Sequence, residues 1–387
     1  MKGYKAMKRI LAAALALLMI TSAADAVINP LYPTEPTAEL WRLYDPGMRY
    51  YYLQLTDAEK RLFSARYDCV ALGQADLWNY PVGGLTAESR GRIDFVLLYD
   101  CPEVMFYPDE AFQPGHIPAP DPEACAGYAA SLKDKLAECM TALEEIRNEP
   151  EWGDTDFDKE LAADRYLVRH CEYDLEADFS VRGGFLPDRT LRTAYGALAA
   201  GRANCAGYAQ AMTLAMRCFG VPCISTTGIY YQGDGKSNGH QWNLVQIDGE
   251  WVHEDATWND TGEESLIEDF FPFTNRTSNE VYQIIKSNPE RYDLDLRNPN
   301  SASDRNNYYI RKGQTVGADW RTEVTRRVLE AHGEGRHAIG LRFLDSAAFD
   351  EVTDLIDADE GWQIDEVAFP HTAVYVWVAE ILYIYWE

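Results

Sequence analysis

His240-Gln241-Trp242-Asn243-Leu244-Val245-Gln246-Ile247-Asp248-Gly249-Glu250-Trp251-Val252-His253-Glu254-Asp255-Ala256-Thr257-Trp258 reads as two strands folded back on a two-residue turn. Asp-Gly between alternating apolar residues is a hairpin signal, because both turn positions adopt positive φ. That turn sets Ile247 opposite Glu250, Trp242 opposite Asp255 and His240 opposite Thr257. Strand side chains alternate with period two, so Asp255 and Thr257 share a face and His240 lies diagonally across from Asp255. An imidazole and a carboxylate bridge such a diagonal of ~7–8 Å. The pair then has the geometry of a base and the group that fixes its tautomer. His253 has the same parity. It is read here as a structural partner of Asp255 or a surface residue, with a base as the alternative.

A nucleophile stands upstream. Asn204-Cys205-Ala206-Gly207 opens a predicted helix running to Phe219, with Tyr208, Met212, Ala215 and Phe219 inward. Gly220-Val221-Pro222 stops it. A strand over Cys223–Tyr231 and a Gly-rich turn over residues 233–239 then lead to the hairpin. Free N–H groups and the positive end of the dipole stabilise a thiolate at a helix start, where cysteine pKa values fall from ~8.5 to ~3.5–7.5. The same N–H groups suit an oxyanion. The alternative for Cys205 is a buried structural cysteine.

Three motifs in order carry a resemblance. They are Tyr195-Gly196-Ala197-Leu198 with Asn204 to Ala209, then His240 to Asn243, then Trp251 to Trp258. Together they resemble the bacterial transglutaminase-like superfamily over residues 156–275. The resemblance implies an α+β, papain-like core with a Cys-His-Asp triad. By matching motif, Cys205 is the nucleophile, His240 the base and Asp255 the orienter. Gln241 stands where the family commonly has a small residue, and no side chain is evident as the second oxyanion-hole donor. The upstream Tyr50 to Tyr52, Leu55 to Lys60 and Asp100 to Phe106 look like the helical leader that accompanies such domains in exported bacterial proteins. The family includes cross-linking transferases, peptidases and inactive binding relatives.

Outside the motifs, Thr56-Asp57-Ala58-Glu59 is a capping box, and Thr86 opens a second helix with Ile93, Val96 and Leu97 on one face. Residues 121–147 read as one long helix. Asp154 to Asp158 resembles a calcium loop but has Lys159 where an EF-hand needs Gly and Arg165 where it needs Glu, so it reads as the acidic start of a helix to His170. Residues 308–310 read as a strand, 322–332 as a helix, 338–343 as a strand, 347–356 as a helix and 374–385 as one terminal strand. The expected organisation is a helical region over 38–150, a transglutaminase-like core over 156–290 and a small C-terminal α/β unit over 305–387.

Four basic residues up to Arg9, an apolar run from Ile10 to Ile20 and Ala24-Asp25-Ala26 spell a secretory signal peptide over residues 1–26, cut after Ala26. Residues 27–37, with Pro30, Pro33 and Pro36, read as a linker. The formal charge of −27 becomes about −30 without residues 1–26, which carry four cations and one acid. A polyanion repels nucleic acid and anionic membranes. No later stretch is apolar enough for a membrane span. Among the eight cysteines no C-x-x-C occurs, and no H-E-x-x-H accompanies the seven histidines, so neither redox nor metal chemistry has a motif. No cofactor is implied. The expectation is a secreted acyl-transfer enzyme acting on amide bonds of a protein, peptide or cell-wall peptide through a thioester. The alternative is a catalytically silent binding protein of the same fold.

Overall fold

Thr56 accepts the Glu59 N–H while the Glu59 carboxylate takes the Thr56 N–H, and this box opens α1, Asp57–Leu72. Helices α2 (Ala87–Tyr99), α3 (Pro122–Ile146) and α4 (Asp156–His170) begin at Thr86, Asp121 and Thr155, each capping with its own side chain. The computed structural model describes residues 32–106, 115, 117–174, 190–231, 237–260, 294–301, 303, 305–358, 364, 367–376 and 380–386. The expected signal segment and residues 232–236 of the Gly-rich turn lie outside them. Among the described residues no helix is long and apolar enough to cross a membrane.

The architecture is α+β. Strands β1 (Glu172–Tyr173) and β2 (Arg202–Ala203) form a short parallel pair before α5, Cys205–Cys218. A three-stranded antiparallel sheet follows, made of β3 (Cys223–Tyr231), β4 (Ser237–Ile247) and β5 (Glu250–Glu254). Residues 237–239, expected in the turn, belong to β4. The β4–β5 ladder has Ile247 opposite Glu250 and Asn243 opposite Glu254, the register that the Asp248-Gly249 turn dictates. Both turn residues have positive φ, 50° and 80°.

Two apolar cores flank this sheet. Val245, Ile247 and Val252 join α5 and the second half of α3, at Leu136, Leu143 and Ile146. Ile224 and Leu244 join the leader residues Trp41, Phe63, Phe95 and Leu97. Arg217, near the end of α5, is fully buried, and its guanidinium donates to the Cys223 carbonyl at 2.8 Å, the Asp100 carbonyl at 2.8 Å and the Asp100 carboxylate. Beside it Arg49 pairs with buried Glu103 at 2.8 Å and lies over the Trp41 ring. The leader is therefore fastened to α5 by charged groups as well as by packing.

The C-terminal sheet has the order β6-β7-β9-β8, with β6 (Thr315–Val316), β7 (Ala338–Phe343), β8 (Thr372–Val376) and β9 (Ile381–Tyr385). Helices α8 (Trp320–Gly333) and α9 (Ser346–Ala358) share its main apolar cluster. Two expectations are corrected here. Residues 308–310 are helical, within α7 (Tyr308–Arg311), because Asn307 caps the N–H groups of Tyr309 and Ile310. Where one strand over 374–385 was expected, Thr372–Val376 and Ile381–Tyr385 are two antiparallel strands, with a positive φ at Glu380 just before the second. The aromatic and β-branched run gives strand propensity but carries no turn signal to break it.

Candidate active site

Cys205 is the first residue of α5. The backbone of Asn204 is extended, and its side-chain oxygen accepts the N–H groups of Ala206 at 3.0 Å and Gly207 at 3.4 Å. The cap thus engages two of the first-turn donors and leaves that of Cys205, beside its own sulfur, outside the cap. A Cβ at Gly207 would lie 2.6 Å from the Leu191 carbonyl oxygen and 2.7 Å from the Ala203 side chain. Only glycine lets the helix seat this closely on the preceding loop. Cys205 is partly open to solvent, whereas six of the other cysteines are buried.

His240 lies on β4, opposite Gly228 of β3, and is buried. Its Nε2 is 2.6 Å from Asp255 Oδ2. Its ring stacks on Trp242 at 5.9 Å and meets the edge of Trp258 at the same separation. Cys205 is close enough to act on the charge of the imidazole. Because Asp255 holds Nε2, the nitrogen left for sulfur is Nδ1. Asn243, on the opposite face, donates to the Ala209 carbonyl and Thr213 hydroxyl of α5, both at 2.9 Å. That clamp brings Cys205 to the His240 end of the strand.

Asp255 is not the strand residue that the sequence pattern suggested. β5 ends at Glu254, and Asp255 caps the short helix α6, Ala256–Asn259, with Oδ1 accepting the Trp258 N–H at 3.2 Å. A strand through 258 would ignore the capping preference of Asp. The outcome for the site is a carboxylate held at both oxygens, one by a helix cap and one by the imidazole.

Electrostatics follow from this packing. Burial alone would push the His240 imidazole down, but the charge and hydrogen bond of Asp255, with those of Cys205, hold it up at about 10. His253 goes the other way: burial lowers it to about 4. It is neutral, and its Nδ1 accepts the Trp242 indole N–H at 3.0 Å. It is thus neither a surface residue nor a partner of Asp255; it steadies the ring on which His240 stacks. Gln241 alternates to the other face and donates to Ser225, so this departure from the family pattern points away from the imidazole.

Sequence reasoning missed three buried carboxyl groups behind Asp255. Glu160 and Asp164 of α4 and Glu254 of β5 are buried. Burial raises all three, and the charge of Asp164 adds to it at Glu160 and Glu254; Asp164 itself rises to about 6 even with an Asn259 amide donating to it at 2.7 Å. Neither Glu254 oxygen has a hydrogen-bond donor. Among the described residues no group of three such side chains is placed to hold a metal ion. The signal was available: Glu160 and Asp164 interrupt the apolar face that Phe157, Leu161 and Val168 give to α4.

Residues 145–256 match the family model of the transglutaminase-like superfamily. Over that stretch the chain is similar to the transglutaminase-like superfamily. The matched stretch includes Cys205, His240 and Asp255. Among solved structures, a TGase is 22% identical with a TM-score of 0.26, covering 34% of this chain and 33% of its own. A candidate cysteine protease from Cytophaga hutchinsonii is 17% identical with a TM-score of 0.24, covering 31% and 37%. The match spans about a third of each of those two relatives. No curated protein matches the chain.

Proposed function

We propose that this protein is an exported cysteine-nucleophile enzyme that transfers acyl groups from amide bonds through a thioester. The observation that carries the reading is the Asp255–His240 hydrogen bond at 2.6 Å, with Cys205 at the start of a helix acting on the same imidazole. Cys205 Sγ attacks the amide carbonyl, and the oxyanion meets the Cys205 N–H. His240, held protonated by Asp255, gives its proton to the leaving amine. The thioester remains on Cys205. Water or a substrate amine then attacks it, with His240 taking the incoming proton. Water needs no second binding site, which favours hydrolysis of a peptide or cell-wall peptide. The export half of the reading rests on the signal-like residues 1–26.

The test is intact mass after incubation with a glutamine peptide or a peptide ester, with and without an added amine. An acyl adduct at Cys205, released to acid by water or to an amide by the amine, supports the proposal and separates the two reactions. An unreactive Cys205 and no turnover would leave the silent binding protein. Sequencing of exported protein checks the cut after Ala26.

A further inference from the structure

Two cysteines outside the candidate site meet where two helices of the leader begin and end. Cys69 lies in the last turn of α1 and Cys125 in the first turn of α3. Their sulfurs are 3.7 Å apart and both residues are fully buried. The Cys125 thiol also reaches the Cys69 carbonyl at 3.2 Å. That carbonyl already accepts the N–H groups of Gly73 and Gln74, which close α1. Gly73 has φ +72°, and a Cβ on it would lie 2.9 Å from the Ala126 Cα. The end of α1 and the start of α3 therefore approach closely here. A disulfide demands such an approach, with Cα atoms ~4.4–6.8 Å apart. Among the described residues this is the one pair of thiols whose sulfurs touch.

We propose that Cys69 and Cys125 join in a disulfide when the chain folds in an oxidising compartment, tying the end of α1 to the start of α3. The first attacker is Cys125. The hydrogen bond that the two thiols share lowers the Cys125 thiol and raises that of Cys69, and the helix start favours the same anion. The Cys125 thiolate attacks a small-molecule disulfide such as oxidised glutathione, and one thiolate leaves. Cys69, losing its proton to solvent, then attacks the Cys125 sulfur and displaces the second thiol. Two protein thiols lose two protons and two electrons, and one external disulfide becomes two thiols. The bond closes a loop spanning 56 residues of separation and leaves Cys205 free for chemistry.

The experiment is refolding of the reduced full chain in a glutathione redox buffer, alkylation of remaining thiols, digestion and peptide mapping. The expected result is one linked pair joining Cys69 to Cys125, lighter by two hydrogens than the free peptides, with Cys205 alkylated. The thermal midpoint should fall by about 5–15 °C when reductant is added. Alkylation of both Cys69 and Cys125 after oxidative refolding, or a link from either to another cysteine, overturns the proposal. A Cys69→Ser, Cys125→Ser double variant should have a midpoint indifferent to reductant. A midpoint that still falls would place the stabilising bond elsewhere and also overturn it.

Discussion

At Cys205, His240 and Asp255, single replacements should separate roles. Cys205→Ala removes the thioester route entirely. His240→Ala should cost nearly as much, because it removes the acid for the leaving amine. Asp255→Ala should cost less, since stacking on Trp242 keeps the imidazole partly in place. The Cys205, His240 double change should match the worse single one, as groups acting in one unit are non-additive. Peptide turnover by folded variants checks this, and normal turnover by Cys205→Ala would remove the nucleophile assignment. The raised His240 predicts a pH profile. Its proton is held until the pH passes about 10, so turnover should keep its basic limb there rather than near the ordinary ~6.5 of histidine. Stability has the same sign: a raised folded pKa stabilises below the unfolded value and fades as pH climbs towards 10. His253→Ala should leave turnover within roughly tenfold, about 1.4 kcal/mol of barrier. Its lost hydrogen bond to the buried Trp242 indole should cost stability of ~1–3 kcal/mol, read by denaturant titration.

Among the elements, the β4–β5 hairpin was the most legible in the sequence. Its register follows from two turn residues and a parity count, both local. The helix starts at Thr56, Thr86, Asp121 and Thr155 were legible for the same reason, since a cap is written within four residues. The end of β5 was not: Asp255 has strand parity and capping chemistry at once, and only its contacts with His240 and the Trp258 N–H decide between them. The Glu160, Asp164 and Glu254 cluster was only half legible: two acids interrupt the apolar face of α4, but Glu254 of β5 joins them from some ninety residues away in sequence. It gives a prediction at this scale. Glu254 is raised well above the ordinary carboxyl range by burial, so its contribution to stability is present at low pH and lost as pH rises. Glu254→Gln should therefore raise the melting temperature more at pH 8 than at pH 5, as a thermal melt at the two pH values would read. Equal gains would mean that the Glu254 carboxyl titrates in the folded chain where it does in the unfolded one.

Across the whole molecule, the charged fastening between leader and α5 was the least legible feature. Arg217 and Asp100 stand 117 residues apart, and a buried ion pair leaves no periodic trace in sequence. Asp100→Ala should cost ~3–5 kcal/mol, because it bares a guanidinium that packing keeps from water. Chemical denaturation of the variant measures it, and a cost within that of a surface change would mean that water reaches Arg217. The Gln210 amide, donating to the Leu98 carbonyl at 2.8 Å, fastens the same helix a second time. This bears on how the protein can be dissected in the laboratory. A recombinant piece cut at the borders of the family match, residues 145–256, keeps all three candidate side chains yet abandons Asp100, Leu98 and the Tyr44 hydroxyl, to which Arg217 donates at 3.3 Å. Such a fragment carries an orphaned cation in its interior from the moment it is made. Its failure to turn over a peptide would report a broken scaffold, and only full-length material can acquit or convict Cys205.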